Sequence, residues 1–303
     1  MRLSLIATAL LLASASAHAQ DSMIPAMPAL PPPAMQPVAT PALATPVATN
    51  QASPIDGVLA GDWRADSNKA RDVYRHPRQT LGFFGVKPDQ TVIEMWPGGG
   101  WYAEVLAPLL RDAGSYTGIL VDPAKQADAD GTAYAERTNS KLRALFEKRP
   151  DVFGKARLLE AGSAAPVLGD ANSVDVVLTF RNAHNWVMDG NEAAMFKAMF
   201  DVLKPGGTLG VVDHRAKPDQ PAAEMKKSGY LPEAYVISLA EAAGFKLQAK
   251  SEINANPRDT KDYADGVWTL PPRLAKGDVD RARYLAIGES DRMTLRFTKP
   301  AKP

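Results

Sequence analysis

The sequence predicts an α/β fold built on a mostly parallel sheet with helices on both faces. Three observations carry this. From position 91 onward, apolar β-forming runs alternate with amphipathic helical runs, the pattern of parallel strands covered on both sides. The first strand runs into Gly98, Gly99 and Gly100 and then into a helix, a turn where main-chain N–H groups can approach a ligand. Polar and charged residues gather where the strands end, the edge at which such sheets bind ligands.

Length and charge narrow the classes. The 303 residues suffice for one domain with extensions. Lys and Arg number 35 against 34 Asp and Glu, a net charge of +1, so nothing points to nucleic acid or to an anionic membrane. Met1 to Ala19 carries one positive charge, a short apolar core and the ending Ala17-His-Ala19. This is the pattern of a secretory signal peptide cleaved before Gln20. The expected location is therefore the periplasm for a Gram-negative source, and otherwise the medium. No later stretch reaches about 18 apolar residues, so no stable membrane insertion is expected after cleavage. With no cysteine, no disulfide is possible.

Residues 20–56 are rich in Ala, Pro, Met and Thr and nearly free of charge. Proline at that density blocks helices and sheet ladders, which predicts a disordered linker or, alternatively, a polyproline ligand for a partner. The folded domain is expected over 57–303, opening with a helical cap over 57–87. Within the cap, Asp66 to His76 reads as a helix stopped by Pro77, and Thr80 to Val86 as an apolar patch. Arg71, Asp72, Arg75 and His76 either reach into a pocket or form surface ion pairs.

Strands are expected at Thr91 to Trp96, Ser115 to Val121, Ala156 to Glu160, Val174 to Phe180, Thr208 to Asp213, Phe245 to Ile253 and Met293 to Thr298. Helices are expected at Tyr102 to Arg111, Ala133 to Lys148, Glu192 to Leu203 and Pro232 to Ala243, with a short one near Ala164. The strand ends then present Glu94 to Gly100, Asp122, Gly162 with Ser163, Arg181-Asn-Ala-His-Asn-Trp186 and Asp213-His-Arg215.

Gly98-x-Gly100-x-x-Ala103 fits a dinucleotide-type turn, and Asp122 ends the next strand, 22 residues after Gly100. A carboxylate there can accept both hydroxyls of a ribose. It can also cap the turn at Pro123. His184 follows the fourth strand, and histidine as a residue type suits proton transfer, so it is either a base or a hydrogen-bonded turn residue. Asp213 and His214 end the fifth strand, where they can orient His184 or bind substrate. The same three residues would make a metal site only by convergence, since their spacing matches no local metal motif, and no metal is expected. Ser163 lacks a Gly-x-Ser-x-Gly elbow, which argues against a serine hydrolase.

Taken together, these motifs resemble the class I S-adenosylmethionine-dependent methyltransferases over roughly Val86 to Thr298. The residues are Glu94-Met-Trp-Pro-Gly98-Gly-Gly100, Asp122, Ser173-Val-Asp-Val-Val-Leu178, Leu203-Lys-Pro-Gly-Gly-Thr-Leu209 and Glu241-Ala-Ala-Gly-Phe245. More narrowly, Arg75-His-Pro77, Pro97-Gly-Gly-Gly-Trp-Tyr102, Asn182 with His184, and Asp213-His214 are similar to a bacterial group of often exported methyltransferase-like proteins. The resemblance implies a Rossmann-like, seven-stranded sheet whose last strand is antiparallel. It also implies S-adenosyl-L-methionine as cofactor, held by Glu94, Trp96, Gly98, Gly100, Asp122, Ser163, Arg181 and Asn182, with catalysis by His184, Asp213 and His214. In one place the chain departs from the family: Trp96 stands where its first glycine would be, placing an indole beside the expected cofactor path. The expected function is methyl transfer to a small molecule. Two alternatives are a non-catalytic ligand-binding protein on the same fold and, more weakly, an NAD(P)-dependent oxidoreductase. No nucleic-acid partner is expected.

Overall fold

The structure, a computed structural model, describes residues 53–301. The expected signal peptide and all but the last residues of the expected linker lie outside that range. Four short helices open the described chain: α1 Pro54–Ala60, α2 Asp66–Lys69, α3 Asp72–Arg75 and α4 Pro77–Phe84. Helix α1 starts ahead of position 57, with Pro54 in its first turn and the Asp56 carboxylate accepting from Ser53 N at 3.0 Å.

The single helix expected over Asp66 to His76 is instead two. His76 takes a left-handed φ of 43°, which ends α3, and Pro77 starts α4 rather than stopping its predecessor. Leu81 and Phe84 on α4 are buried, and Phe84 packs on the sheet where β5 has only the hydrogen of Gly210.

The sheet holds β1 Thr91–Met95, β2 Ser115–Val121, β3 Arg157–Ala161, β4 Val174–Phe180, β5 Leu203–His214, β6 Lys246–Ser251 and β7 Arg292–Thr298. Their order is β3-β2-β1-β4-β5-β7-β6, with β7 antiparallel to both neighbours and β1 to β5 parallel. This strand order is that of the class I methyltransferase fold. Strands β2 and β4 have the expected bounds. Strand β5 starts earlier than Thr208, because Leu203 already pairs with Val174 across a register shift.

Helices cover both faces: α5 Ala103–Leu110, α6 Ala129–Lys148, α7 Pro150–Phe153, α8 Ala183–Asp189, α9 Glu192–Val202, α10 Ala222–Ser228, α11 Glu233–Ala242 and α12 Arg281–Ile287. One apolar cluster, including Trp186, Phe196 and Phe297, fills one face, and a second, including Phe84, Tyr102, Leu106 and Phe153, fills the other. No helix forms near Ala164, where three small residues run into Pro166, too few for a nucleated turn. Helix α8 arises where an irregular polar run was expected. Its Ala183, Trp186 and Val187 are buried at helical spacing, and Gly190 ends it at φ 72°. Among the described residues, no helix is long and apolar enough to cross a membrane.

Docking of α4 rests on Phe84, 1 % exposed. Phe84→Ala should lower unfolding free energy by about 3–5 kcal/mol. A urea midpoint equal to wild type would show that α4 does not depend on this contact.

Candidate functional site

Strands β1 and β4 are neighbours whose onward connections run to opposite sides, β1 toward β2 and β4 toward β5. A crevice opens between their C-terminal ends at such a point. The next residue on each strand is strained: Trp96 has φ 45° and Arg181 has φ 62°, conformations that cost of order 1–3 kcal/mol for residues with a Cβ. Asn182 ties the two strand ends together, its Nδ2 donating to Met95 O at 2.7 Å and to Thr179 Oγ1 at 3.3 Å.

Three adjoining cavities occupy this edge. One, of about 230 Å³, lies between Trp96, Pro97 and Gly98, the end of β2 at Leu120 and Val121, and Met188 on α8. A second, of about 260 Å³, lies on the other side of the glycine turn, toward α3, and its lining includes Arg71, Arg75, Glu94 and Arg181. The third, of about 960 Å³, contains His184, His214 and Trp268. Tyr134 and Asn185 line all three, and Arg181 lines the second and third.

The N-terminal helices reach the crevice because they are fastened to the glycine turn and α5. Trp101 Nε1 donates to Asn68 O at 2.9 Å, Trp63 Nε1 donates to Glu104 O at 2.9 Å, and Asn68 Nδ2 donates to the Glu104 carboxylate at 3.0 Å. Buried Arg64 holds Asp72 in a fork of 2.7 and 2.8 Å. The Arg75 guanidinium lies over the Trp101 ring at 4.7 Å. Tyr102 stacks on Phe180 at 3.5 Å and donates to Arg75 O at 3.2 Å.

Glu289, from the segment before β7, accepts from Arg71 Nε at 2.7 Å and Arg75 Nε at 3.1 Å, and pairs with Arg292 at 3.2 Å. Burial alone would raise its carboxyl, but Arg75, Arg292, Arg181 and Arg71 outweigh that and hold it down at about 2. Glu94, 2 % exposed, behaves oppositely. Burial pushes it up to about 8, against the opposing pull of the Tyr116 hydroxyl, which donates to it at 2.7 Å, and of Arg75.

His184 lines the third cavity, and fully buried Asp213 stands behind it. The distance from His184 Nδ1 to Asp213 Oδ1 is 2.8 Å, and Asp213 also accepts from the backbone N–H of His184 at 3.1 Å and of His214 at 2.7 Å. A carboxylate only accepts, so Nδ1 carries the proton and Nε2 is left as an acceptor. His214 Nδ1 lies 2.5 Å from Ser290 Oγ. Its imidazole is pushed well below the usual range by burial, and further by His184, Arg181, Arg292 and Arg75. The convergence that a metal reading needs does occur, with ligand atoms of His184, Asp213 and His214 within 4.8 Å of one another. Yet Asp213 is already engaged by three N–H groups, and the arginines create a positive field. That environment suits an oriented base better than a dication.

Of the expected cofactor residues, Trp96, Gly98 and Asn182 line the first two cavities, and Glu94 and Arg181 line the second. Gly100 lines none of the three. At φ 88° its missing side chain makes room for Leu142, which a Cβ would approach to 2.7 Å, so packing on α6 requires the glycine. Asp122 caps its own turn, accepting from Ala124 N at 2.9 Å, and neither it nor Ser163 lines the cavities. Reading the sequence left out Glu289 and Tyr134. Tyr134 carried a usable signal, an aromatic residue in an otherwise polar helical stretch; Glu289 carried none.

S-adenosylmethionine is the group the fold implies, and the residues fit it in outline. Gly98, at φ 58°, has no atom within 4 Å of where a Cβ would stand, so its backbone is open to both smaller cavities. Leu120, Val121 and Met188 give the first cavity apolar walls. The Trp96 ring meets Trp186 edge-on at 5.8 Å, and its Nε1 is buried without a partner.

No protein-family model matches the sequence, and no curated protein does. Solved structures resemble it in fold. The [4+2]-cyclase SpnF aligns with a TM-score of 0.56 at 16% identity, over 82% of this chain and 93% of that one. A Galdieria sulphuraria protein proposed as a sarcosine dimethylglycine methyltransferase aligns with 0.51 at 14% identity, over 77% and 86%. A chain from a Haloferax volcanii complex of a methyltransferase activator and a proposed methyltransferase aligns with 0.50 at 16% identity, over 82% and 98%.

Glu94 makes stability depend on pH. Its carboxyl keeps its proton up to about 8 in the folded chain but releases it near 4.5 when unfolded, so its contribution is full below 4.5 and is lost as pH rises toward 8. Glu94→Gln should remove this decline, so the urea midpoint of the variant should fall less than that of wild type between pH 5 and 8. Parallel declines would show that Glu94 ionises normally.

Proposed function

We propose that this chain is an exported S-adenosylmethionine-dependent methyltransferase acting on a small molecule. The observation that carries the reading is the open backbone at Gly98, on the same strand-end edge as a histidine whose Nε2 is left as an acceptor, in adjoining cavities that share Tyr134 and Asn185. The signal-peptide pattern of Met1 to Ala19 supports export. Fold alone does not choose the reaction, since one structural neighbour is named as a cyclase; the residues of the crevice have to.

When bound, S-adenosylmethionine supplies an electrophilic methyl group on sulfur. Trp96, Pro97 and Gly98, with Leu120, Val121 and Met188, would hold its nucleoside end. Asn182, fixed by Met95 O and Thr179, keeps the ends of β1 and β4 at a set spacing and so keeps the crevice open. His184 Nε2 accepts the proton from the acceptor's hydroxyl or amine, and Asp213 Oδ1 steadies the resulting imidazolium through Nδ1–H. His214, kept neutral by burial and flanking cations, does not compete for that proton. Most of the rate then comes from positioning, with the base contributing a further factor of about 10²–10⁴.

Trp96 favours a second reading, in which the crevice binds another ligand without chemistry, because its indole occupies space beside Gly98. Calorimetry with S-adenosylhomocysteine, S-adenosylmethionine and NAD separates the two. Heat is expected with both sulfur nucleosides and not with NAD. No heat at millimolar concentration, in wild type and in Trp96→Gly alike, contradicts the cofactor. With a substrate in hand, His184→Ala should lower kcat by about 10²–10⁴ while leaving homocysteine-nucleoside affinity within a few-fold.

A further inference from the structure

We propose that Arg71, Arg75 and Arg181 form a binding site for a dianionic oxyanion, a phosphate or a pair of carboxylates, carried by the acceptor molecule. Assigning the oxyanion to an acceptor rests on the methyl-transfer reading; oxyanion binding itself does not.

The three guanidinium groups line the cavity of about 260 Å³. Glu289 engages Arg71 and Arg75 only through Nε, and among the described residues their terminal nitrogens donate no hydrogen bond. Nη2 of each is buried without an acceptor, and Arg75 is only 4 % exposed. A buried charged donor left unmade is costly, and a ligand oxygen would relieve it. The backbone N–H of Arg181 donates to Val212 O at 2.7 Å, but among the described residues its guanidinium makes no hydrogen bond and no ion pair within 4.0 Å.

The charge balance points the same way. Arg71, Arg75, Arg181 and Arg292 act together on Glu289, and Asp213 is the other carboxylate acting on Arg181. Four cations against two anions leave an excess of two, which a dianion matches. The amino-acid end of S-adenosylmethionine is a zwitterion and would not neutralise it. Its ammonium group would find only Glu94 as a carboxyl on the lining, and burial keeps that group largely protonated at neutral pH.

The site is also preorganised and connected. Trp101 and Glu289 fix the Arg75 plane, which lowers the entropy lost on binding. Arg181 faces the large cavity as well, where Arg137, Lys227 and Arg273 join it and the lone carboxylate, Asp265, is paired with Lys276 at 2.9 Å. An anionic acceptor is thus attracted along the path that leads to His184.

The test is calorimetry with inorganic phosphate and, separately, malonate, with chloride holding ionic strength constant. Wild type should bind at least one of them. Arg181→Gln should weaken binding by about tenfold or more, since it removes a charge-assisted donor, and should shift the thermal midpoint by a few degrees at most, because the guanidinium has no hydrogen bond or ion pair to lose and its attraction to Glu289 and Asp213 is offset by repulsion from Arg292 and Arg71. Arg78→Gln, on the exposed side of α4, should bind as wild type does. Whichever anion binds identifies the oxyanion. No binding of either, or equal affinity in Arg181→Gln, overturns the proposal. Protein saturated with S-adenosylhomocysteine should still bind the anion. If that nucleoside abolishes anion binding while 5′-methylthioadenosine, which lacks the amino-acid end, does not, the site belongs to the cofactor and the acceptor assignment is wrong. Anion heat without nucleoside heat would leave the oxyanion site standing and remove the methyl-transfer reading.

Discussion

Glu289 is the carboxylate on which the crevice depends, because it lets several arginines share a small buried volume. It sits 218 residues from Arg71 and 214 from Arg75, so it ties the end of the chain to the helices at its start. It also pairs with Arg292 at the start of β7. Removing one member of a buried charge pair costs about 3–5 kcal/mol, since the partners are left uncompensated. Here one carboxylate serves three guanidinium groups directly and steadies a fourth through space. It neutralises too little of their charge to fill their demand, and the remaining demand faces the cavity.

Strain is concentrated at the same place. The residues that leave β1 and β4 both take left-handed backbone, and neither is glycine. Each carries a large side chain that the turn then directs into the cavities: the Trp96 indole between two of them, and the Arg181 guanidinium between the second and third. A glycine at either position would relieve strain and lose that wall. Backbone held this way at the point where a parallel sheet changes direction is what a preorganised ligand site requires.

Much of the fold was legible because its signals are local. Val174 to Phe180 and Ser115 to Val121 read as strands from apolar β-formers bounded by turns, and both have those bounds in the structure. The site was legible where residues end strands: Trp96, Gly98, Arg181, Asn182 and His184 all line the cavities, and Asp213 backs His184. What was not legible depended on distance or on local chemistry. Asp122 stands at the expected strand end, where one of its carboxylate oxygens accepts from Ala124 N and caps the turn at Pro123, the alternative that the sequence also allowed. Gly100 is needed by Leu142 on α6, a contact that spacing along the chain does not reveal. His76 broke an expected helix through a left-handed turn, and Glu289 joined the arginines only once β7 had inserted between β5 and β6.

The most direct measurement is a crystal structure of the protein grown with S-adenosylhomocysteine and inorganic phosphate. Nucleoside density against Gly98 and Met188, with tetrahedral density within hydrogen-bond distance of Arg75 and Arg181, is the predicted result. Both ligands absent from the crevice at saturating concentration, or the nucleoside bound elsewhere on the sheet, would contradict it.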